Sequence, residues 1–249
     1  MNKSMNMKNL KLHDLTMVLP FLLIACQQPV NESQQVGEDG RVVERVMSPE
    51  ERSELTPASV VQRLREGNER FRNDDLTKRD HSKQLREAVM GQFPKAIVLT
   101  CIDSRIPVED VFDTGIGDIF VARVGGNVVN EDILGSLEFA CRVSGAKLVL
   151  VLGHEHCETV VSAIDRVELG NMTTMVSKIQ PAIEGVEYQG RRSSINPEFV
   201  ALVVKNNVEN TVEDIREKSA VLKNMEETGE IQIMGAYYDM DEGKVFFSN

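Results

Sequence analysis

Two short stretches of this chain have the residue types and spacing that hold a metal ion. Ile97-Val98-Leu99-Thr100 runs into Cys101, and Asp103 and Arg105 follow at alternate positions. Further on, Leu148-Val149-Leu150-Val151-Leu152 runs into Gly153-His154-Glu155-His156-Cys157. Thiolate and imidazole suit zinc, and Cys101, His154 and Cys157 would leave its fourth position open, the catalytic rather than the structural arrangement. His154 and Cys157 are spaced i, i+3, so one turn of chain can aim both at one ion. The plain alternative is that the two cysteines are small buried hydrophobes. Against it, both groups end buried-strand patterns, and in a parallel sheet ligands gather at strand ends.

Asp103 and Arg105 have a plain reading too, as a surface ion pair of little worth. Beside a ligand they suit another role. An arginine held against a carboxylate fixes its direction and keeps it ionised. Such a carboxylate can accept the hydrogen bond of hydroxide on zinc and so orient its lone pair. Alternatively, Asp103 binds the metal itself and closes the site as fourth ligand. His156 points away from its neighbour Cys157, Cys141 falls in a helix pattern and is read as core, and His81 sits at a helix start.

The elements that must position these groups alternate. Strand patterns cover Ala96–Thr100, residues 119–122 and residues 147–152. Helix patterns precede and separate them. Thr56 is an N-cap with Pro57 at the first helical position, and Val60, Val61, Leu64 and Phe71 form its stripe. Further helices are expected over residues 82–90, over 131–143 behind Asn130, and over 158–167, 173–186 and 197–226. Residues 231–237 and 244–247, joined by Asp241-Glu242-Gly243, read as a hairpin. The expected class is α/β, a mostly parallel central sheet flanked by helices.

The chain has 249 residues and a net charge of −11. Without residues 1–26, 25 basic and 38 acidic residues remain, a balance of −13 that argues against nucleic acid as a partner. Residues 1–26 read as an export signal: Lys3, Lys8 and Lys11, then an apolar run from Leu15 to Ala25, too short to span a bilayer. His13 lies within it. The end, Leu23-Ile24-Ala25-Cys26, resembles the bacterial lipoprotein box, which implies lipid on Cys26 and a protein anchored to a membrane without crossing it. The expected location is the periplasm, with the outer membrane favoured because Gln27 is not the aspartate of inner-membrane retention. Residues 27–52 are polar and read as a flexible tether, and 53–249 as the catalytic domain.

Several segments in order resemble the β-class carbonic anhydrases. They are Leu64-Arg65-Glu66-Gly67-Asn68-Glu69-Arg70-Phe71, Gly91-Gln92-Phe93-Pro94-Lys95, Cys101-Ile102-Asp103-Ser104-Arg105, Phe112-Asp113 and Gly117-Asp118-Ile119-Phe120-Val121. After them come Arg123-Val124-Gly125-Gly126-Asn127, Gly135-Ser136-Leu137-Glu138-Phe139-Ala140 and Gly153-His154-Glu155-His156-Cys157. The resemblance implies one zinc ion per subunit on Cys101, His154 and Cys157, with Asp103–Arg105 as the catalytic dyad. It implies Gln92 and Phe120 bordering the substrate pocket. It also implies a homodimer or higher homo-oligomer, with N-terminal helices embracing the neighbouring subunit and the sites at the interface. Gly125 and Gly126 would let backbone approach the site closely. The activity implied is reversible hydration of carbon dioxide to bicarbonate and a proton by zinc-bound hydroxide. The alternatives are hydrolysis of carbon disulfide or carbonyl sulfide on the same core, and a non-catalytic zinc-binding protein. One departure is Glu158, where the family usually has glycine. The chain also has no tryptophan, so the inhibitory bicarbonate pocket of some members, which uses one, cannot be built.

Overall fold

The structure is a computed structural model and describes residues 34–36, 42–44 and 46–248. The expected export signal and Cys26 lie outside the described residues. In chain order, β1 (Gln34–Val36) and β2 (Val42–Glu44) form an antiparallel pair. Then come α1 (Pro49–Ser53), α2 (Pro57–Arg72), α3 (His81–Ala88), β3 (Ala96–Thr100), α4 (Val108–Val111) and β4 (Ile119–Arg123). A 3-10 turn, Gly125–Asn127, leads to α5 (Glu131–Glu138), which widens into a π turn over Phe139–Val143. There follow β5 (Leu148–His154), α6 (Glu158–Ile164), α7 (Gly170–Ser177), α8 (Gln180–Gly185), α9 (Pro197–Lys218), α10 (Ala220–Glu227), β6 (Gln232–Tyr238) and β7 (Val245–Phe247).

The main sheet has the order β4-β3-β5-β6-β7. Its first four strands are parallel, and β7 returns antiparallel as the expected hairpin, with Tyr238 opposite Val245. Every residue of β3 and β5 is buried, which is why both read as unbroken apolar runs. Alternate residues serve opposite faces. Val98, Leu148, Leu150 and Leu152 pack with Val60 and Leu64 of α2 and with Val108, Val111 and Phe112. Ile97, Leu99, Val149 and Val151 pack with Leu137, Val208, Val212, Ile215 and Leu222. A third cluster, with Val160, Ile179, Phe199, Val203 and Val204, gathers around Cys101 and Cys157.

Three boundaries differ from the sequence reading. The helix expected over 173–186 is two helices, because Pro181 has no N–H to give and its ring would strike the carbonyl of Ser177. The chain turns at Lys178 and Ile179 and restarts with proline in the first turn of α8, where a missing donor is harmless. The helix expected over 197–226 breaks at Ser219. That residue is extended (φ −118°, ψ 98°), its hydroxyl caps α10 by accepting from Leu222 N–H, and it donates to Glu138. Structure also begins earlier than residue 53. Ser48 and Glu51 form a reciprocal capping box on α1, and Arg52 Nη1 donates to Ser144 O at 2.6 Å.

Candidate metal centre

The parallel register sets the site. Thr100 lies beside Leu152 and Arg123, so the chain leaves β3 at Cys101 next to the last residues of β5. His154 ends β5, and Cys157 is the residue before α6. All three are buried, and their donor atoms lie within 4.8 Å of one another.

Hydrogen bonds aim these donors. His154 Nδ1 is 2.8 Å from the backbone oxygen of Glu155. A carbonyl only accepts, so Nδ1 bears the proton and Nε2 presents its lone pair. That Nε2 is buried and has no hydrogen-bond partner among the described residues. Cys157 Sγ is 3.9 Å from Cys101 Sγ, and Gly126 N–H donates to Cys101 Sγ at 3.4 Å. The bond shared with Cys157, together with that from the Gly126 N–H, holds the Cys101 thiol far below its ordinary value despite burial. Cys157 is pushed up, first by that shared bond and then by burial. Two sulfurs and an orphaned imidazole nitrogen converging on one buried point fit a zinc ion.

Asp103 stands at the edge of this donor set, its Oδ2 3.9 Å from His154 Nε2. Both carboxylate oxygens face Arg105: Oδ1 accepts from the backbone N–H (2.9 Å) and Nε (3.0 Å), and Oδ2 from Nη2 (2.7 Å). The Arg105 hydrogen bond lowers the Asp103 pKa to about 2. Arg105 Nη2 also donates to His156 O at 3.1 Å, tying the loop after β3 to the loop after β5. His156 itself is exposed, in the left-handed region at φ 52°. Glu158 is exposed in the first turn of α6, and its charge reaches Arg105.

Other expected site residues fall in different places. Gly126 (φ 69°) contributes its N–H directly, and Gly125 lies against Met175 and Thr159. Gln92 is exposed in the segment before β3. Phe120 lines a groove with Ile97, Ala122, Ile133 and Phe139 that none of the three donor residues lines. Sequence reasoning missed Arg123, whose guanidinium donates to the carbonyls of Cys101 (3.0 Å), Asp103 (3.3 Å) and Ile106 (2.6 Å) and so pins the ligand loop. A charge ending a mostly apolar strand was the available signal.

Known proteins share this architecture. The sequence pattern of the family described as Carbonic anhydrase matches residues 96–245. Carbonic anhydrase 2 of Mycobacterium tuberculosis is 31% identical over 194 residues, which cover 76% of this chain and 91% of the relative. The β-carbonic anhydrase CafA of Aspergillus fumigatus superposes with a TM-score of 0.58 at 24% identity, covering 77% of this chain and 90% of that one. The tetrameric β-carbonic anhydrases of Sordaria macrospora superpose at 0.57 with 17% identity, covering 76% and 94%. Fold, matched span and identity agree, and the chain belongs to the carbonic anhydrase family, in its β class.

Proposed function

We propose that this enzyme catalyses the reversible hydration of carbon dioxide to bicarbonate and a proton at one zinc ion held by Cys101, His154 and Cys157. The observation behind this is the convergence of three buried donors, with His154 Nε2 unpartnered, beside an ionised Asp103. Bound there, zinc supplies the Lewis acidity that ionises water near neutral pH. The chain's own residues do the rest. Asp103 is fully charged at neutral pH, so it accepts the hydrogen bond of the attacking oxygen and turns the lone pair towards carbon dioxide. Arg105 holds both carboxylate oxygens and so fixes the direction in which Asp103 faces the donors that would hold the zinc. Gly126 N–H steadies the Cys101 thiolate. Stopped-flow hydration of carbon dioxide by the zinc-loaded protein tests this. Rapid turnover with one zinc per chain is expected. Zinc-loaded protein that hydrolyses carbon disulfide or carbonyl sulfide but leaves carbon dioxide untouched would overturn it.

The assembly is proposed to be a homodimer or higher homo-oligomer. Leu85, Val89 and Met90 are exposed at the end of α3, and the Sordaria macrospora relatives are tetrameric. A neighbouring copy is then what brings Gln92 and Phe120 to the pocket. Light scattering that finds a fully active monomer would refute this. The lipid on Cys26 and the periplasmic location rest on the leader's charges and apolar run. Cys26→Ser should release the enzyme from membranes with catalysis intact, and a variant that still pellets with membranes would end that reading.

A further inference from the structure

We propose that Asn207 is a positioning residue for the metal centre, acting on Cys101 through the Gly126 peptide; this rests on the reading of Cys101 as a zinc ligand. Along α9, Val200, Val203, Val204, Val208 and Val212 are buried, and Asn207 lies among them at 2% exposure. An amide in an apolar stripe is costly unless its polar atoms are bonded. Asn207 Nδ2 donates to Gly126 O at 2.8 Å, across 81 residues of sequence. The same residue's N–H donates to Cys101 Sγ. Gly126 is therefore held at its carbonyl by α9 and in turn holds the thiolate through its N–H. Its conformation (φ 69°, ψ 18°) is one that side chains rarely adopt, and the next residue, Asn127, is left-handed too, at φ 47°. The peptide is also confined by packing: a Cβ on Gly126 would come within 2.6 Å of Ile179 Cδ1.

The same helix reaches the second ligand segment. A Cβ on Gly153, the residue before His154, would lie 2.5 Å from Val208 Cγ2 and 2.9 Å from Val204 Cγ1. One face of α9, from Val204 to Val208, thus rests on the backbone beside Cys101 and on the backbone beside His154, and it sets their separation. Outer partners of this kind tune a metal site through the orientation and charge of its ligands.

The test uses the full-length protein. Asn207→Leu keeps the shape and removes the donor. Zinc affinity, read by chelator competition on reduced apo-protein, should fall about tenfold or more. Leu222→Ala, in the core on α10 and away from the centre, should lose stability yet keep wild-type zinc affinity. Wild-type affinity in Asn207→Leu would overturn the proposal, as would an equal loss in Leu222→Ala. A second measurement needs no variant: in wild-type protein loaded with cadmium-113, the Gly126 amide proton should show coupling to the metal across the N–H···S bond. A cadmium-loaded spectrum without that coupling would overturn the proposal even if Asn207→Leu failed to fold. Wild-type protein that takes up neither zinc nor cadmium would defeat the metal reading itself and this proposal with it, and it would be seen before any substitution.

Discussion

Asp103 and Asp113 each face arginine, in different company. Asp113 has a side chain with no exposure at all. It receives Arg70 Nε (2.5 Å), Arg79 Nη1 (2.6 Å), Thr77 Oγ1 (2.7 Å) and Thr77 N–H (3.1 Å), while Arg79 also donates to its backbone oxygen. Burial alone would push its pKa up, and these partners overcome that and hold it below the ordinary carboxylate range. Asp103 has one arginine, itself 47% exposed, and keeps an edge towards the three metal donors. A saturated carboxylate can only brace the fold. One bound on a single side can still accept a bond from a reacting molecule. The same two residue types give a lock in one place and a poised dyad in the other, and the difference lies in how many donors the surroundings supply.

The largest effect should come from removing the metal from beneath the dyad. Cys101→Ser or Cys157→Ser should lose most of the zinc and all measurable hydration, because zinc takes the thiolate form. Near-stoichiometric zinc in either purified variant would contradict this. Next, Arg105→Ala should cut turnover on the order of a hundredfold while the domain stays folded, since Asp103 loses the group that directs it. Turnover near wild type at neutral pH would reduce Arg105 to an ordinary surface ion pair. At the other site the balance should reverse. Asp113→Ala removes the buried carboxylate on which Arg70, Arg79 and Thr77 converge and should cost about 3–5 kcal/mol in denaturant unfolding, with turnover per folded molecule unchanged. The lowered pKa of Asp113 fixes the pH dependence. Its stabilisation is fully present above the ordinary carboxylate range and is lost as pH falls through its depressed folded value. The wild-type advantage over Asp113→Ala should therefore be flat near neutrality and shrink in acid. An advantage that grew in acid would be fatal to this account. The smallest effect belongs to Glu158, exposed in the first turn of α6. Glu158→Gly should cost about 1 kcal/mol from the dipole and glycine effects, with turnover little changed. A several-fold change in turnover at constant zinc would place Glu158 in the reaction path.

The parts of the fold written locally are readable in the sequence. Buried parallel strands show as apolar runs, and the residues ending them, Cys101, His154 and Cys157, stand out because strand ends are where such a sheet gathers ligands. The breaks at Lys178–Ile179 and Ser219 are hidden by apolar periodicity that runs across them, although Pro181 and a serine before Ala-Val-Leu are signals within reach. The Asp113 lock is not readable, and the Arg123 clamp shows only as a charge at a strand end, without its acceptors. Their partners lie tens of residues away and converge only once the sheet is built. Asn207 falls between these cases. A polar residue within the stripe from Val200 to Val212 can be seen in the sequence, but its partner, Gly126 O, cannot.

The bond from Arg52 to Ser144 also has a mechanical meaning. Arg52 lies just after the segment that leads back to the chain's start, and Ser144 precedes β5 at the end of the strand opposite His154. The guanidinium fills the space over Gly145, where a Cβ would come within 1.5 Å of Nη1. The seven residues of β5, at about 3.3 Å each, separate that latch from the metal donors. Arg52 is thus fastened at the rim of the sheet opposite the metal donors, and the whole length of β5 stands between that attachment and the chemistry.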